Sequence, residues 1–453
     1  MRIADLAGRR IAVWGYGREG KAAVAAIRAR LPNQPVTVFC SDAEAVEVSV
    51  ETVSAAVSKP PDAAALSAFD IVIKSPGISA YRPEILEAQH NGTHFTSGTA
   101  LWFAEHPDAR VIAVTGTKGK STVSALIAHF LRALGHRTAL AGNIGLPLLD
   151  LLDPPTLPDA WVVELSSFQT RAAPRVSVGV INNLYEEHLD WHGTRERYAA
   201  DKLALADAAE TLIVNALQPE LMARTATHPN RTTFGDAATW HVREGAIFRA
   251  GRRACALADL PPPGLHNALN VCAALTAVEA LGMDAAIALR HVGTFAPLPH
   301  RLQMLGERDG LLWINDSIAT TPQATLEALA SAKSREVTVI VGGHDRGLDW
   351  RTFAETVKQT PPHAIVTMGA NGSRIAEMLR ATNGRYVLES ADSLDDAVSI
   401  ARRITPAHGI VLLSPGAPSF DQFRDYAERG RAFAALAGFD ASLIGSIPGL
   451  GIA

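Results

Sequence analysis

Val111-Ile112-Ala113-Val114-Thr115-Gly116-Thr117-Lys118-Gly119-Lys120-Ser121-Thr122 decides the fold. A β-branched apolar run enters a turn carrying two glycines and a lysine, and helical spacing follows from Ser121 to about Leu134. Strand, loop and helix in that order gather backbone N–H groups around an anion, and the helix N-terminus adds partial positive charge. Lys120 then bridges the terminal phosphates of a nucleotide, and the Ser121 hydroxyl binds the magnesium that screens them. Gly116, Thr117, Lys118, Gly119, Lys120, Ser121 and Thr122 are therefore assigned to ATP. The general pattern asks for a glycine where Val114 stands, so the loop is a shortened form.

A magnesium ion needs oxygen ligands near the same strand ends. Glu164 closes the apolar strand Trp161-Val162-Val163 and is expected to face the loop. His188, Asp190 and His192 alternate after the strand Val176 to Ile181, with Glu186 and Glu187 just before them. Lys202 follows on an expected helix, Tyr198 to Ala208. An unmodified lysine repels a metal; as a carbamate it becomes an oxygen ligand, which requires a neutral amine first.

Working outward, the chain divides into three α/β blocks, expected as domains over residues 1–97, 98–297 and 298–453. Short apolar runs alternate with helical spacing throughout, which predicts mostly parallel sheets: a Rossmann-like first block, a central ATPase and a Rossmann-like third block. The length of 453 residues fits two or three cores. A net charge of −4 without basic blocks argues against nucleic acid and anionic membranes. Three scattered cysteines make neither a disulfide framework nor a zinc site. The longest apolar runs are strand-sized, so no membrane insertion is expected and the cytoplasm is the expected compartment.

Gly15-Tyr16-Gly17-Arg18-Glu19-Gly20 is a complete GxGxxG after a strand, with Ser41-Asp42 following the next strand. Alone it suggests a dinucleotide and an oxidoreductase. The same turn holds any diphosphate, and beside an ATP loop a non-reacting nucleotide-sugar fits better.

These motifs together resemble the Mur ligases of peptidoglycan synthesis, nearly end to end and in order. Gly15, Gly17, Arg18, Ser41, Asp42, Ser75 and Gly77 resemble the family's UDP-sugar turns. Residues 115–122 are similar to its ATP loop, with Lys118 where asparagine is more usual. Asn143 in Gly142-Asn143-Ile144-Gly145 and Gln169 in Glu164-Leu165-Ser166-Ser167-Phe168-Gln169 match segments that position the donor sugar. Asn267, Asn270, Arg301 and Asp316 match nucleotide-contacting positions. The resemblance implies ATP-driven addition of glutamate to UDP-N-acetylmuramoyl-L-alanine through an acyl phosphate. It also implies two magnesium ions, held by Ser121, Glu164, His188 and carbamylated Lys202. Lys120, Glu164, His188 and Lys202 would carry catalysis, and closure of the third domain would exclude water. A monomer is expected.

The acceptor side departs from the usual pattern: Ile318-Ala319-Thr320-Thr321-Pro322, Gly342-Gly343-His344-Asp345-Arg346 and Ser414-Pro415-Gly416-Ala417-Pro418-Ser419. A lysine is lost near Ile318, and Pro418 removes a donor. Thr320, Arg346, Ser419 and Tyr426 still suit a dicarboxylate. Changes confined to this side resemble the variant that adds L-glutamate, with a separate epimerase acting downstream; ordinary D-glutamate addition is the alternative. A folylpolyglutamate synthetase-like ligase lacks the first block, which is intact here. A non-catalytic nucleotide-binding protein would lack Lys120, Glu164, His188 or Lys202.

Overall fold

The computed structural model describes every residue except 49–52, 186, 262–263, 333–334 and 446, and leaves the side chains of 43, 190 and 443 undescribed. Glu186 and the Asp190 side chain, both singled out above, therefore lie outside the described residues. The chain forms two compact units. The first comprises residues 1–261, 265–295 and 449–453, and the second 262–264 and 296–448.

Among its described residues the first unit holds two mainly parallel sheets and a small antiparallel one. In the N-terminal one, Ile11–Trp14 lies between Val36–Phe39 and Ile71–Lys74, with Ala55–Val57 and His94–Thr96 at the edges. Ile11, Ala12, Val13 and Trp14 are all buried, as a strand covered on both faces requires. Gly17 caps the following helix, Arg18–Arg30, whose Glu19 and terminal Arg28 and Arg30 oppose the helix dipole.

The second sheet of this unit places Val111–Thr115 between Ala160–Glu164 and Val176–Ile181, all parallel. Residues of Ala209–Asn215 and Arg231–Phe234 extend one side, and Thr138–Gly142 the other. The final pair Gly451–Ile452 adds an antiparallel edge to Thr138–Gly142, so the last residues belong to the first unit. Because Val111–Thr115 has neighbours from later in the chain on both sides, its outgoing loop opens at a topological switch point, where such sheets bind ligands. A small antiparallel sheet, His241–Arg243, Ala246–Arg249 and Arg252–Ala256, was not foreseen from the sequence.

Among its described residues the second unit has six strands. Leu311–Asn315, Ile410–Leu413, Val337–Val341, Ala364–Thr367 and Val387–Ser390 run parallel in that order, and Gln303–Arg308 pairs antiparallel to the first of them. Strands with helices on both faces match the expected α/β class. Among the described residues no helix is long and apolar enough to cross a membrane.

Candidate active site

The phosphate loop is built by its glycines and held by asparagines that the sequence reading did not single out. Gly116 has φ +150° and Gly119 φ +80°, the latter in left-handed backbone just before the helix Lys120–Ala133. Asn183 Oδ1 accepts from the backbone N–H of Thr117 (2.9 Å) and Lys118 (2.8 Å), while its amide donates to the Lys118 carbonyl (3.0 Å). Asn182 donates to Asn270 Oδ1 at 2.9 Å directly against Gly119, bringing the expected nucleotide-contacting helix Leu265–Ala280 to the loop. Asn267 lies one turn earlier on that helix, near Asn270. Thr117 Oγ1 donates to the Tyr185 carbonyl and shares a 2.7 Å hydrogen bond with the Tyr198 hydroxyl. Lys120 Nζ donates to the Thr117 carbonyl at 2.9 Å. Ser121 and Thr122 sit in the first helical turn. The tandem Asn182-Asn183 at the end of a strand next to the loop was the signal available for finding these anchors.

Glu164 is buried at the end of its strand, beside the loop strand in register with Val114. Its Oε1 accepts from Asn143 Nδ2 at 2.8 Å, and its buried Oε2 has no hydrogen-bond partner. An unmatched buried carboxylate oxygen is costly unless a cation meets it. Among the described residues no three His, Cys, Asp or Glu side chains cluster tightly enough to hold a metal by themselves. The residues present fit a phosphate-bound magnesium ion, for which Ser121 and Glu164 would supply protein oxygens and a nucleotide the remainder.

Lys120, Asn143, Ser166, Ser167, Phe168, Glu187, His188 and Lys202 line one cavity of about 220 Å³. The sequence reading placed Lys120, His188 and Lys202 in one site, and the fold brings them to one cavity. Lys202 stands on the helix Arg195–Ala208, which Thr194 caps and whose buried face carries Tyr198, Asp201, Lys202 and Leu205. Burial, and secondarily the charge of Lys120, push its ammonium well below the usual lysine range, against the pull of Glu187 and Glu164. The neutral amine that a carbamate requires is thus favoured by the site. Burial raises the Glu187 carboxyl, but Lys118, His188 and Lys120 outweigh it and hold it below its ordinary value. Lys118 Nζ lies 2.8 Å from Glu187 Oε1, which gives the lysine in the usual asparagine position a partner. His188 adopts left-handed backbone, φ 56°, and packs edge-on against Phe168.

His192 is fully buried, with Nδ1 2.7 Å from Asp201 Oδ2 and Nε2 3.0 Å from Ser167 Oγ.

The N-terminal turns meet at Gly15 and Ser75. Ser75 Oγ donates to the Gly15 carbonyl at 3.2 Å, and a Cβ at Gly15 (φ +90°) would stand 2.6 Å from that hydroxyl oxygen. Ser41 caps the short helix carrying Asp42, and Glu44 of that helix accepts from the Tyr16 N–H. Gly77 is open to added bulk, with nothing within 4 Å of an added Cβ. Arg18 reaches the Gly145 carbonyl at 3.1 Å, so it touches the Gly142-Asn143-Ile144-Gly145 turn. Gln169 is committed within the protein, accepting from Ser166 and donating to Thr99.

In the second unit Asp316 is buried and accepts from Ser414 Oγ (2.7 Å) and the Leu302 N–H (3.1 Å). Burial raises its pKa to about 6 against those two bonds and Arg301. Arg301 Nε is buried and unpartnered. The expected acceptor segments converge on Arg429, which sequence reasoning missed. This fully buried guanidinium donates to Ser317 Oγ and O, Ala417 O and Pro418 O, and burial lowers its pKa to about 10. The Pro418 carbonyl also accepts from the His344 N–H, tying the Gly342–Arg346 segment to the 414–419 loop. Ser419 is buried beside this knot, Arg346 lies over the Phe420 ring at 5.8 Å, and the Tyr426 carbonyl accepts from Ser317. Thr320 is partly exposed one residue after buried Ala319.

Comparison with known proteins agrees with this construction. Residues 114–278 match the Mur ligase middle domain and residues 300–416 the Mur ligase, glutamate ligase domain. A UDP-N-acetylmuramoyl-L-alanine--L-glutamate ligase of Xanthomonas axonopodis pv. citri is 50% identical over 467 residues, covering 100% of both chains. The protein of the same name from Micromonospora sp. is 41% identical over 96% of this chain and 97% of its own. Among solved structures, the UDP-N-acetylmuramate-alanine ligase MurC of Thermotoga maritima shares the fold with a TM-score of 0.62 at 21% identity, covering 94% of this chain and 98% of its own. MurF ligase of the same organism, in complex with ADP, gives 0.58 at 16% identity over 82% and 97%. With the phosphate loop, the buried glutamate and lysine and whole-length relatives all in place, the chain belongs to the Mur ligase family of ATP-dependent ligases.

Proposed function

We propose that this ligase adds glutamate to UDP-N-acetylmuramoyl-L-alanine through an acyl phosphate, and that the acceptor is L-glutamate. The observation that carries the reading is the single cavity lined by Lys120, His188 and Lys202, beside a buried Glu164 with an unmatched oxygen. A carboxylate is a poor electrophile, so ATP first phosphorylates the alanyl carboxylate; the amine then attacks and phosphate leaves. Lys120 neutralises charge on the transferring phosphoryl group. Magnesium, when bound by Ser121 and Glu164, supplies Lewis-acid charge compensation there. Lys202 as a carbamate, with His188, would provide oxygen and nitrogen donors for a second ion. The Gly15 and Ser75 turns would hold the UDP-sugar, with Arg18, Ser41, Asp42 and Gly77 at their rim; Asn143 would order the donor's path, and Gln169 would act through the Ser166 it holds. Asn267 and Asn270 would face the nucleotide.

The acceptor assignment rests on two supports. The relatives quoted above are named for L-glutamate, and the acceptor-side departures lie in the segments that Arg429 knots together. Thr320, Arg346, Ser419 and Tyr426 would grip the dicarboxylate. Product formation with L- and D-glutamate supplied separately tests the reading. Turnover with L-glutamate is expected, and a strong preference for the D enantiomer would overturn it.

A further inference from the structure

Two of the acceptor-side departures, Gly416 and Pro418, share the turn that leaves the buried strand Ile410–Leu413. Most carbonyls of this turn are spent on the protein. Thr325 Oγ1 donates to the Ser414 carbonyl at 3.0 Å and the Gly342 N–H to that of Pro415 at 2.7 Å. Arg429 donates to Ala417 and Pro418, and the Ser419 carbonyl accepts from the N–H groups of Gln422 and Phe423. Pro415 and Pro418 bring no N–H. Among the described residues none accepts from the N–H of Gly416, Ala417 or Ser419, although all three residues are buried. Buried N–H groups without a partner are rare, and a carboxylate is a ligand that suits such unspent donors.

Gly416 shapes the turn. Its φ of +65° is left-handed backbone, and an added Cβ would stand 2.7 Å from Trp350 Cη2 and 2.8 Å from Thr325 Oγ1. Trp350 is fully buried with its ring edge-on to Phe353 at 5.1 Å, and Thr325 is fully buried on the helix Pro322–Ser331, so bulk at 416 displaces the turn and not the core. The same turn is tied to the other acceptor segments. Thr325 stands on the helix that directly follows Thr320 and Thr321, while Gly342 and His344 donate to the Pro415 and Pro418 carbonyls. Handedness depends on such fixed spacing. With both carboxylates of glutamate held, exchanging enantiomers exchanges the amine with the α-hydrogen, so only one hand presents its amine to the acyl phosphate.

We propose that Gly416, seated on Trp350 and Thr325, selects the hand of the acceptor. Lacking a Cβ, it lets the turn lie against the core and sets the turn's donors at the spacing from Thr320 and Arg346 that aims the amine of L-glutamate. Gly416 is a positioning residue, acting through where the turn stands. This deepens the acceptor assignment under Proposed function and rests on it.

The test measures kcat/KM with L- and D-glutamate separately, at saturating MgATP and UDP-N-acetylmuramoyl-L-alanine. The variants are Gly416→Ala and Thr325→Val, the second keeping the threonine's shape while losing its bond to Ser414. The wild type is expected to favour L-glutamate. Gly416→Ala should lower the L-to-D ratio by about tenfold, the worth of one hydrogen bond, with KM for ATP unchanged, and Thr325→Val should lower it less. Adding Trp350→Phe to Gly416→Ala withdraws the ring atoms that the methyl meets and should recover part of the ratio, which a general loss of stability would not do. A wild type that favours L-glutamate, with that ratio unmoved in both single variants, overturns the proposal alone. A wild type that favours D-glutamate overturns the acceptor assignment and the proposal with it.

Discussion

Gly119→Ala tests whether the loop is held as described. At φ +80° an L-residue costs about 1–2 kcal/mol relative to glycine. The added methyl would stand 2.5 Å from both Asn182 Nδ2 and Asn270 Oδ1, the two atoms of the 2.9 Å hydrogen bond that ties the helix Leu265–Ala280 to the loop. Parting them loses about 1 kcal/mol more. The sum, roughly 2–3 kcal/mol, corresponds to a fall of about 3–5 °C in the transition of a unit this large, if the loop keeps its shape. If the loop relaxes instead, the same energy appears as about 30-fold or greater weakening of ATP binding. Differential scanning calorimetry and titration calorimetry with MgATP read the two arms. A variant with wild-type Tm and wild-type ATP affinity would refute the reasoning.

Lys202→Ala should abolish most turnover, and short carboxylates such as formate or acetate should restore part of it by occupying the carbamate's place; undiminished activity without added carboxylate would contradict the role. Asp316 offers a pH signature. Its carboxyl titrates near 6 in the folded chain against about 4 when unfolded, so the native state holds the extra proton between those values and stability falls as pH rises from about 4 to 6. The fall is about 3 kcal/mol at most. Asp316→Asn should flatten this slope in urea midpoints measured at pH 4.5 and 7; a slope as steep as the wild type's would show that another group causes it.

The parallel strands were legible because both of their faces are buried, so Val111–Thr115, Val176–Ile181 and Val337–Val341 stand out as continuous apolar runs. Lys120 and Glu164 stood out because the chemistry of a phosphate site ties residue type to strand ends and the loop that follows, whereas Lys202, on a helix, stood out through the family resemblance. The sheet over residues 241–256 was not, since strands of three to five residues carry too little periodicity to separate from turns. Arg429 and the His192 network escaped for a different reason. Their partners lie far away in sequence, such as Ser317 for Arg429 and Tyr81 for Asp201, and no local pattern announces a contact 112 or 120 residues long. Val114, which looked like a flaw in the loop, is fully buried in the central strand and accepts the Leu165 N–H beside Glu164.

The central claim is that ATP cleavage at this loop is spent on joining an amino acid to a nucleotide-sugar. Coupled measurement of ADP release tests it most directly, with UDP-N-acetylmuramoyl-L-alanine, L-glutamate and magnesium supplied together and each omitted in turn. Release is expected only when all are present, with one amide product per ADP, and is expected to be lost in Lys120→Ala. Full ADP release without the nucleotide-sugar, or undiminished turnover by Lys120→Ala, would contradict it.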